Sequence, residues 1–395
     1  MIDQNTVVYI SNVIPCDGRG GAIIAKRHID RLVSDGWRVL LIVPEHQRRI
    51  GWTTDSRTEL NKVIWVNRPP QSLFSRFLRR CGMISIVANI EARRILRASP
   101  ILREASAVVT ICWGSESLVA SKLKRKLGIP IITFMHDHWV NISDRSNRLA
   151  SEMACRASDH VFAVSNEMLR SLEISGITNI SLLYPVSSPP LCAFVHWKTT
   201  FESPVIIHAG SLHDYHRQFL GLLASILDNN SGSLIVLGSQ NEVVSTDLER
   251  THTNVTLQAY YENNDDAISF IHQSATALVV MYPFGYNRSG LVPTGFPSRF
   301  VEYCQLGMPI IVCAPDGNPI REWAKSVGWE AQFDPFDEVG LNGCIERLRH
   351  EENWTRMAEQ TRFAAEGLLN PENIHLHFMK TLRQLQSSSK NGKSR

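Results

Sequence analysis

Three polar side chains near residue 300 have types and spacing that suit a phosphorylated ligand. Ser298, Arg299 and Glu302 open an amphipathic segment behind a loop with several glycines, which predicts a helix from about 298 to 306. With Ser298 as N-cap, backbone N–H groups and the helix dipole favour an anion, and Arg299 adds a fixed positive charge. Glu302, one turn on, can accept hydrogen bonds from hydroxyls such as those of a ribose. The stretch predicts a cradle for a nucleoside diphosphate.

The flanking residues indicate how these groups are positioned. An apolar run ending near 281 and a second one at 309–313 read as strands, so the cradle lies in a βαβ unit. The alternative is that 298–306 is an ordinary helix of an α/β domain with an exposed Arg and Glu.

A second group of polar side chains follows the apolar run 129–135. His136, Asp137 and His138 stand at the predicted carboxyl end of this strand, where open α/β sheets place their ligand sites. Adjacent residues on a strand point to opposite faces, and the sequence shows no spaced partner ligands, so a metal site is disfavoured. For His136 a hydrogen-bonded structural role stays open as the alternative.

The N-terminal residues predict another βαβ unit. A strand at 7–11, a loop with Gly18, Gly20 and Gly21, a helix at 22–34 and a strand at 38–43 follow in order. Gly18 and Gly20 with the later Glu45 are similar to a dinucleotide fingerprint, although Ile23 occupies the third glycine position. One open interpretation is therefore a nicotinamide-dependent oxidoreductase.

The run TGFPSRFVEYCQLGMPIIV resembles the donor-binding signature of glycosyltransferases with the two-domain GT-B fold, especially family 4. In that family a Glu, seven residues and a second Glu frame the nucleotide-sugar. Glu302 matches the second Glu, which the resemblance assigns to the ribose. Thr294 stands at the first Glu position, and Gly295 and Phe296 continue the pattern.

The resemblance extends over nearly the whole chain. It implies that the Gly20-Gly21 loop and a loop at Gly210 and Ser211 approach the donor, and that Arg217 stands near a diphosphate-binding Lys position. It also implies that His136, which faces the donor sugar, and Asp137 beside it are the catalytic residues. Tyr261, with Tyr260, falls where the family places the backbone that meets the nucleobase.

The predicted fold class is α/β, a GT-B arrangement of two Rossmann-like domains facing each other across a cleft. Residues that break regular secondary structure are frequent at 184–200 and predict a linker between the two domains. The expected organisation is an acceptor-binding domain at 1–185, a linker at 186–203, a nucleotide-sugar-binding domain at 204–370, a C-terminal helix crossing back at 371–388, and a disordered tail at 389–395.

Length and composition indicate which classes of protein this chain can belong to. The chain has 395 residues, 44% hydrophobic and 20% charged, which is typical of a globular protein with two domains. The sequence shows no apolar run long enough to span a bilayer, and its first residues do not have the pattern of a signal peptide. A cytoplasmic location is therefore expected. Its eight cysteines form no CxxC pair, which predicts neither zinc nor disulfides.

A basic stretch at 67–106 bears on the partners. Eight arginines there are interleaved with apolar residues and opposed by two glutamates. Such a stretch suits the surface of an anionic membrane, and a core-facing helix pair with a solvated basic face is an equal alternative. With only two phenylalanines to stack on bases and no binding motif, nucleic acid is not an expected partner.

The residues and the resemblance together predict transfer of a hexosyl group from a nucleoside-diphosphate sugar to an acceptor hydroxyl. The resemblance implies that the acceptor is a glycan or a lipid-linked molecule in cell-surface polysaccharide biosynthesis. The resemblance implies retention of configuration. No metal or other cofactor is expected, because Arg299, Arg217 and helix dipoles can stabilise the leaving diphosphate. The alternatives are a GT-B protein that binds a sugar nucleotide with impaired catalysis, and the oxidoreductase.

Overall fold

The computed structural model describes residues 5–16, 20–44, 63–65, 78, 81–188, 193–210, 212, 216–238, 242–259, 261, 263–282 and 294–391. The chain divides into two compact units. The first contains Met1–Val186, Gly290–Phe296 and Ile374–Arg395, and the second contains Ser187–Ser289 and Pro297–Asn373.

The first unit is built on a parallel sheet. Its strands are β1 (Thr6–Ile10), β2 (Arg38–Ile42), β3 (Val63–Trp65), β4 (Ala107–Ile111), β5 (Ile131–Met135), β6 (His160–Ala163) and β7 (Ile180–Leu182). Over the described residues, the spatial order is β3-β2-β1-β4-β5-β6-β7 and every neighbouring pair is parallel. Because the strands are parallel, the residues that follow β5 and β6 emerge side by side at one end of the sheet.

Helices cover both faces of this sheet. They are α1 (Gly20–Ser34), α2 (Ile84–Ala98), α3 (Gly114–Leu127), α4 (Arg145–Arg156) and α5 (Asn166–Ile174), with a C-terminal helix at Pro371–Asn391. On one face, buried residues of α2, α3 and α4 form a core with the inward side chains of β1, β2 and β4. On the other, Phe134 of β5 stacks on His28 of α1 at 4.5 Å and contacts Phe378 of the C-terminal helix at 5.4 Å.

The second unit repeats this architecture. Its strands are β8 (Val205–Ala209), β9 (Ser233–Leu237), β10 (Val255–Gln258), β11 (Ala277–Met281), β12 (Ile310–Cys313) and β13 (Gln332–Phe333). Its helices are α6 (His216–Asn229), α7 (Glu242–Thr251), α8 (Asn264–Ser274), α9 (Ser298–Cys304), α10 (Pro319–Ser326), α11 (Glu338–Leu348) and α12 (Glu351–Glu366). The parallel order is β10-β9-β8-β11-β12-β13, so β8, β11 and β12 lie together at its centre.

The predicted α/β fold with two Rossmann-like units is confirmed, and three local expectations are corrected. Ser298 is the first residue of α9 rather than its N-cap, which is Pro297 with no side-chain cap bond. This helix ends at Cys304, earlier than the predicted 306. The C-terminal helix continues to Asn391, so 389–391 are helical and not part of a disordered tail. Helices α7 and α10, both short, were not predicted from the sequence.

Candidate functional site

In the second unit, aromatic packing fixes α9 behind its polar side chains. The ring of Phe300 is buried and makes edge contacts with Trp323 at 5.2 Å and Trp329 at 5.3 Å. Trp329 is held in turn by its indole N–H, which donates to the carbonyl of Ile310 at 2.9 Å. The buried face of α9 is thereby anchored on its neighbours, and half-buried Arg299 stands on the other side.

Arg299 reaches from α9 to the carboxyl end of β8. Its Nη1 donates to the carbonyl oxygen of Ala209 at 3.2 Å. The hydroxyl of Tyr303, four residues along the helix, also donates to that oxygen at 3.1 Å and accepts from the Ala209 amide at 3.2 Å. Gly210 has a φ of +124°, and a Cβ there would lie 3.0 to 3.2 Å from the guanidinium. The structure therefore brings together two predicted site residues, Gly210 and Arg299, in direct contact.

The positive charge of Arg299 and burial affect the pKa values of the neighbouring side chains. Burial first, and then the charges of Arg299 and His216, hold the pKa of His208 on β8 well below its usual range. Burial raises the pKa of Tyr303, so its hydroxyl keeps its proton. Because His208 stays neutral and Arg299 stays charged, this strand end presents a fixed cation that favours an anionic ligand.

The side chain of Glu302 on α9 reaches the start of α8, and Tyr261 lies between β10 and α8. A carboxylate oxygen of Glu302 accepts a hydrogen bond from the side-chain amide of Asn264 at 3.3 Å. The Tyr261 hydroxyl accepts from Gln258 at 3.3 Å, and its ring packs on Phe270 with centroids 5.8 Å apart. The carboxylate is thus oriented by a neutral donor rather than neutralised by a cation in this contact.

Arg217, predicted as a second cation for the diphosphate, forms an ion pair with Asp247 of α7. The nitrogen and oxygen are 2.6 Å apart, and the Arg217 side chain is 53% exposed. Its charge is therefore engaged within the second unit in this structure. Ser211, the other predicted residue of this loop, lies outside the described residues.

In the first unit, His136 follows β5 as predicted. Its ring stacks on Phe134 with centroids 6.4 Å apart, and burial lowers its pKa to about 4. Among the described residues, its buried Nε2 has no hydrogen-bond partner. A neutral imidazole with an unsatisfied ring nitrogen is chemically suited to bind a hydroxyl group. Asp137 beside it is exposed.

The glycine loop of the first unit opens α1, which begins at Gly20 rather than at the predicted residue 22. Gly21 is exposed, and among the described residues a Cβ there would meet nothing within 4 Å. The predicted role of this loop in donor binding stays a prediction.

The segment Thr294–Phe296 packs within the first unit. The hydroxyl of Ser165 donates to the carbonyl of Thr294 at 2.6 Å, and Thr294 is only 1% exposed. The ring of Phe296 contacts Tyr184 with centroids 4.8 Å apart. A Cβ on Gly295 would lie 3.8 Å from the carbonyl oxygen of His136. Four predicted residues, 136 and 294–296, are thereby brought together at this end of the first sheet.

Three residues that orient the predicted ones were not predicted from the sequence. Tyr303 shares Ala209 with Arg299, and its spacing of four residues from Arg299 on one helix was an available signal. The local sequence around Ser165 and Asn264 gave no signal of these contacts. Their partners are more than 30 residues away in the chain, so only the fold reveals them.

The described residues also bear on metal binding and on membrane spans. In the described part of the chain, no group of three or more His, Cys, Asp or Glu side chains is arranged to hold a metal ion. Over the same residues, no helix has the length and hydropathy to cross a membrane.

Comparison with known proteins links this geometry to a family. Residues 18–185 match the model described as Glycosyltransferase Family 4. None of the curated proteins matches the chain. Among solved structures, sucrose-phosphate synthase from Thermosynechococcus elongatus is 13% identical with a TM-score of 0.67, covering 98% of this chain and 100% of that one.

Two further structures cover nearly complete chains. The HepE protein of Anabaena in complex with UDP is 14% identical with a TM-score of 0.66, covering 96% of this chain and 100% of that one. WaaG, a glycosyltransferase involved in lipopolysaccharide biosynthesis, is 13% identical with a TM-score of 0.60, covering 95% and 99%. At such identities these likenesses show the fold. The predicted resemblance is confirmed over residues 18–185, which match the family 4 model, and the whole chain has the fold of these GT-B structures.

Proposed function

We propose that the chain transfers a hexosyl group from a nucleoside-diphosphate sugar to a hydroxyl of a glycan or lipid-linked acceptor. The observation that carries this proposal is the contact of Arg299 with Gly210 and the Ala209 carbonyl at the centre of the second sheet. A diphosphate needs a cation held beside exposed backbone, and a glycine with no Cβ lets a phosphate approach closely.

Each residue has a separate role in this proposal. Arg299 neutralises charge that develops on the diphosphate as the glycosidic bond breaks, and Glu302 binds the ribose hydroxyls. His136, neutral at physiological pH, hydrogen-bonds a hydroxyl of the transferred sugar. Retention of configuration, hexosyl specificity and a reaction without metal are parts of the same proposal and follow the resemblance to family 4.

A panel of nucleotides tests the donor site. UDP, GDP, ADP and their glucose conjugates are added to the protein, and the melting temperature is measured. UDP comes first because the HepE structure was determined with UDP. One nucleoside diphosphate should raise the melting temperature, and Arg299→Gln should abolish the rise without unfolding the protein. If NAD stabilises the protein and no nucleoside diphosphate does, the oxidoreductase is the better assignment.

A sugar-nucleotide-binding protein with impaired catalysis is the second candidate function. Thr294, which stands at the family's first Glu position, has no carboxylate and is 1% exposed. Release of the sugar from the stabilising donor separates the candidates. Hydrolysis or transfer above the buffer rate supports the enzyme, whereas binding without turnover supports the binding protein.

We further propose a cytoplasmic location with reversible attachment to an anionic membrane. Helices α2 and α3 bring together a cationic cluster, which we define as Arg93, Lys122, Arg125 and Lys126. Burial first, and then their positive neighbours, lower the pKa values of Lys122 and Lys126. Mutual repulsion of this kind is relieved by an anionic partner, and each cation near such a leaflet contributes about 1 kcal/mol. Arg76, Arg79 and Arg80 of the same basic stretch lie outside the described residues.

Vesicle sedimentation tests the membrane proposal. The protein should bind phosphatidylserine vesicles but not neutral ones, and salt should release it. The double variant Lys122→Gln/Lys126→Gln should bind more weakly. A matched control, Arg170→Gln/Arg250→Gln, removes two positive charges from exposed side chains elsewhere. Equal loss in both variants would show that only net charge matters, and absence of wild-type binding would contradict the proposal.

A further inference from the structure

Ser165 makes two hydrogen bonds with one buried hydroxyl. It is the N-cap of α5, where its oxygen accepts from the amide of Met168 at 3.0 Å. The same hydroxyl donates its proton to the carbonyl of Thr294 at 2.6 Å. Ser165 is 2% exposed, so water does not replace either bond readily. One side chain therefore caps a helix and ties a segment 129 residues away to it.

The same helix also holds the loop that carries His136. Ser171 of α5 lies 3.1 Å from Nε2 of His138. Because Nδ1 of His138 accepts from the amide of Val140 at 3.2 Å, the ring proton is on Nε2 and donates to Ser171. Helix α5 is thus bonded at its start to Thr294 and in its middle to the loop after β5.

Because Gly295 and Phe296 are constrained by their own neighbours, the position of Thr294 determines where these two residues lie. Phe296 precedes a proline, which disfavours helical backbone, and its ring is buried against Tyr184. Gly295 lies between these two fixed points, against the His136 carbonyl. The Ser165 bond therefore sets how Thr294–Phe296 faces His136.

We propose that Ser165 is a positioning residue, which holds Thr294–Phe296 against His136 so that the two segments bind the transferred sugar together. This rests on the proposed function, since it assigns the sugar to these segments. The hydroxyl acts through the Thr294 carbonyl and does not itself touch the donor. Loss of the bond removes one donor from that buried carbonyl and breaks the connection between the segment and α5.

Three variants separate the two bonds of Ser165. Ser165→Thr keeps a hydroxyl that caps the helix and donates. Ser165→Asp keeps the cap, because a carboxylate accepts from Met168, but it has no proton for Thr294. Ser165→Ala loses both hydrogen bonds, and because alanine is smaller than serine it cannot clash with neighbouring atoms. If the Asp variant does not fold, the comparison of Ala with Thr replaces it.

Hydrogen exchange measured by mass spectrometry gives a readout that needs no ligand. In Ser165→Asp, the amides of residues 294–296 should exchange about tenfold faster than in the wild type, while those of α5 keep their protection. Ser165→Thr should exchange as the wild type does, and Ser165→Ala should lose protection in both segments. Unchanged exchange of 294–296 in the Asp or Ala variant, or equally fast exchange in the Thr variant, would overturn the proposal.

Activity then tests whether the segment serves the sugar. With the donor found in the nucleotide panel, Ser165→Asp should lower turnover at least tenfold while the affinity for the free nucleoside diphosphate changes less than twofold. Ser165→Thr should restore turnover. Faster exchange without a change in turnover would refute the positioning role. A wild type without any turnover refutes the proposed function instead, and the exchange result still decides whether Ser165 holds the segment.

Discussion

Substitution of Gly210 by alanine tests two properties of this glycine: its backbone conformation and the space it leaves for Arg299. The new methyl group would lie 3.0 Å from Nη1 and 3.1 Å from Cζ of Arg299, closer than carbon side chains normally approach. The residue also has a φ of +124°, which L side chains rarely adopt. We therefore expect Gly210→Ala both to strain the backbone and to push Arg299 away from the Ala209 carbonyl.

The magnitudes of the two effects are separable. A residue forced into a sparsely populated backbone region costs about 1–3 kcal/mol of stability. Displacing a guanidinium from a diphosphate costs about 1.5–3 kcal/mol of binding, the range of a charged hydrogen bond. The affinity for the stabilising nucleoside diphosphate should then fall roughly 10- to 150-fold.

Gly317→Ala is the matched control in the same unit. Gly317 has a φ of +79°, so alanine there also carries a backbone cost, but among the described residues its Cβ would meet nothing within 4 Å. Urea denaturation should show a loss of stability in both variants. Isothermal titration calorimetry should show weaker nucleotide binding in Gly210→Ala alone.

The double variant Gly210→Ala/Arg299→Ala completes the test. If Gly210 acts through Arg299, the glycine substitution should add little to the binding loss of Arg299→Ala. Equal nucleotide affinity in wild type and Gly210→Ala, with the protein folded, would refute the assignment of the diphosphate to this strand end. Full additivity of the two losses would show that Gly210 acts independently of Arg299.

Three further predictions concern single side chains. Glu302→Ala should weaken nucleotide binding by about 1.5–3 kcal/mol with the fold preserved, whereas Asn264→Ala should have a smaller effect, measured by calorimetry. Burial lowers the pKa of His138 to about 4, whereas the side chain of the unfolded chain takes up its proton below about pH 6.5. The contribution of His138 to stability should therefore fall by about 1.4 kcal/mol per pH unit down to pH 4. Denaturation of His138→Asn at pH 7 and 5 should show a shallower pH dependence than that of the wild type, and an equal slope would contradict the prediction. Asp247→Asn should release Arg217 from its ion pair, changing stability by less than about 1 kcal/mol and raising diphosphate affinity only if Arg217 contacts the ligand.

The sequence predicted the alternation of strands and helices well, because apolar periodicity is local. The strand at 277–281 and the helix after Pro297 lie where the pattern placed them. It misplaced the cap of α9, because Ser298 satisfies the compositional rule for a cap while Pro297 takes the non-helical backbone. It also stopped the C-terminal helix too early, since a polar run does not distinguish a frayed tail from a solvated helix.

The sequence by itself determined the fold class, the family resemblance and the candidate positions of Arg299, Glu302 and His136. Those inferences depend on residue type and spacing along one element. Only the tertiary structure shows that Arg299 lies beside Gly210, that Arg217 forms an ion pair with Asp247, and that Ser165 donates a hydrogen bond to Thr294. These contacts join residues that are 30 to 129 apart in the chain. Their geometry is set by how parallel strands align and how helices pack on them, which no local pattern records.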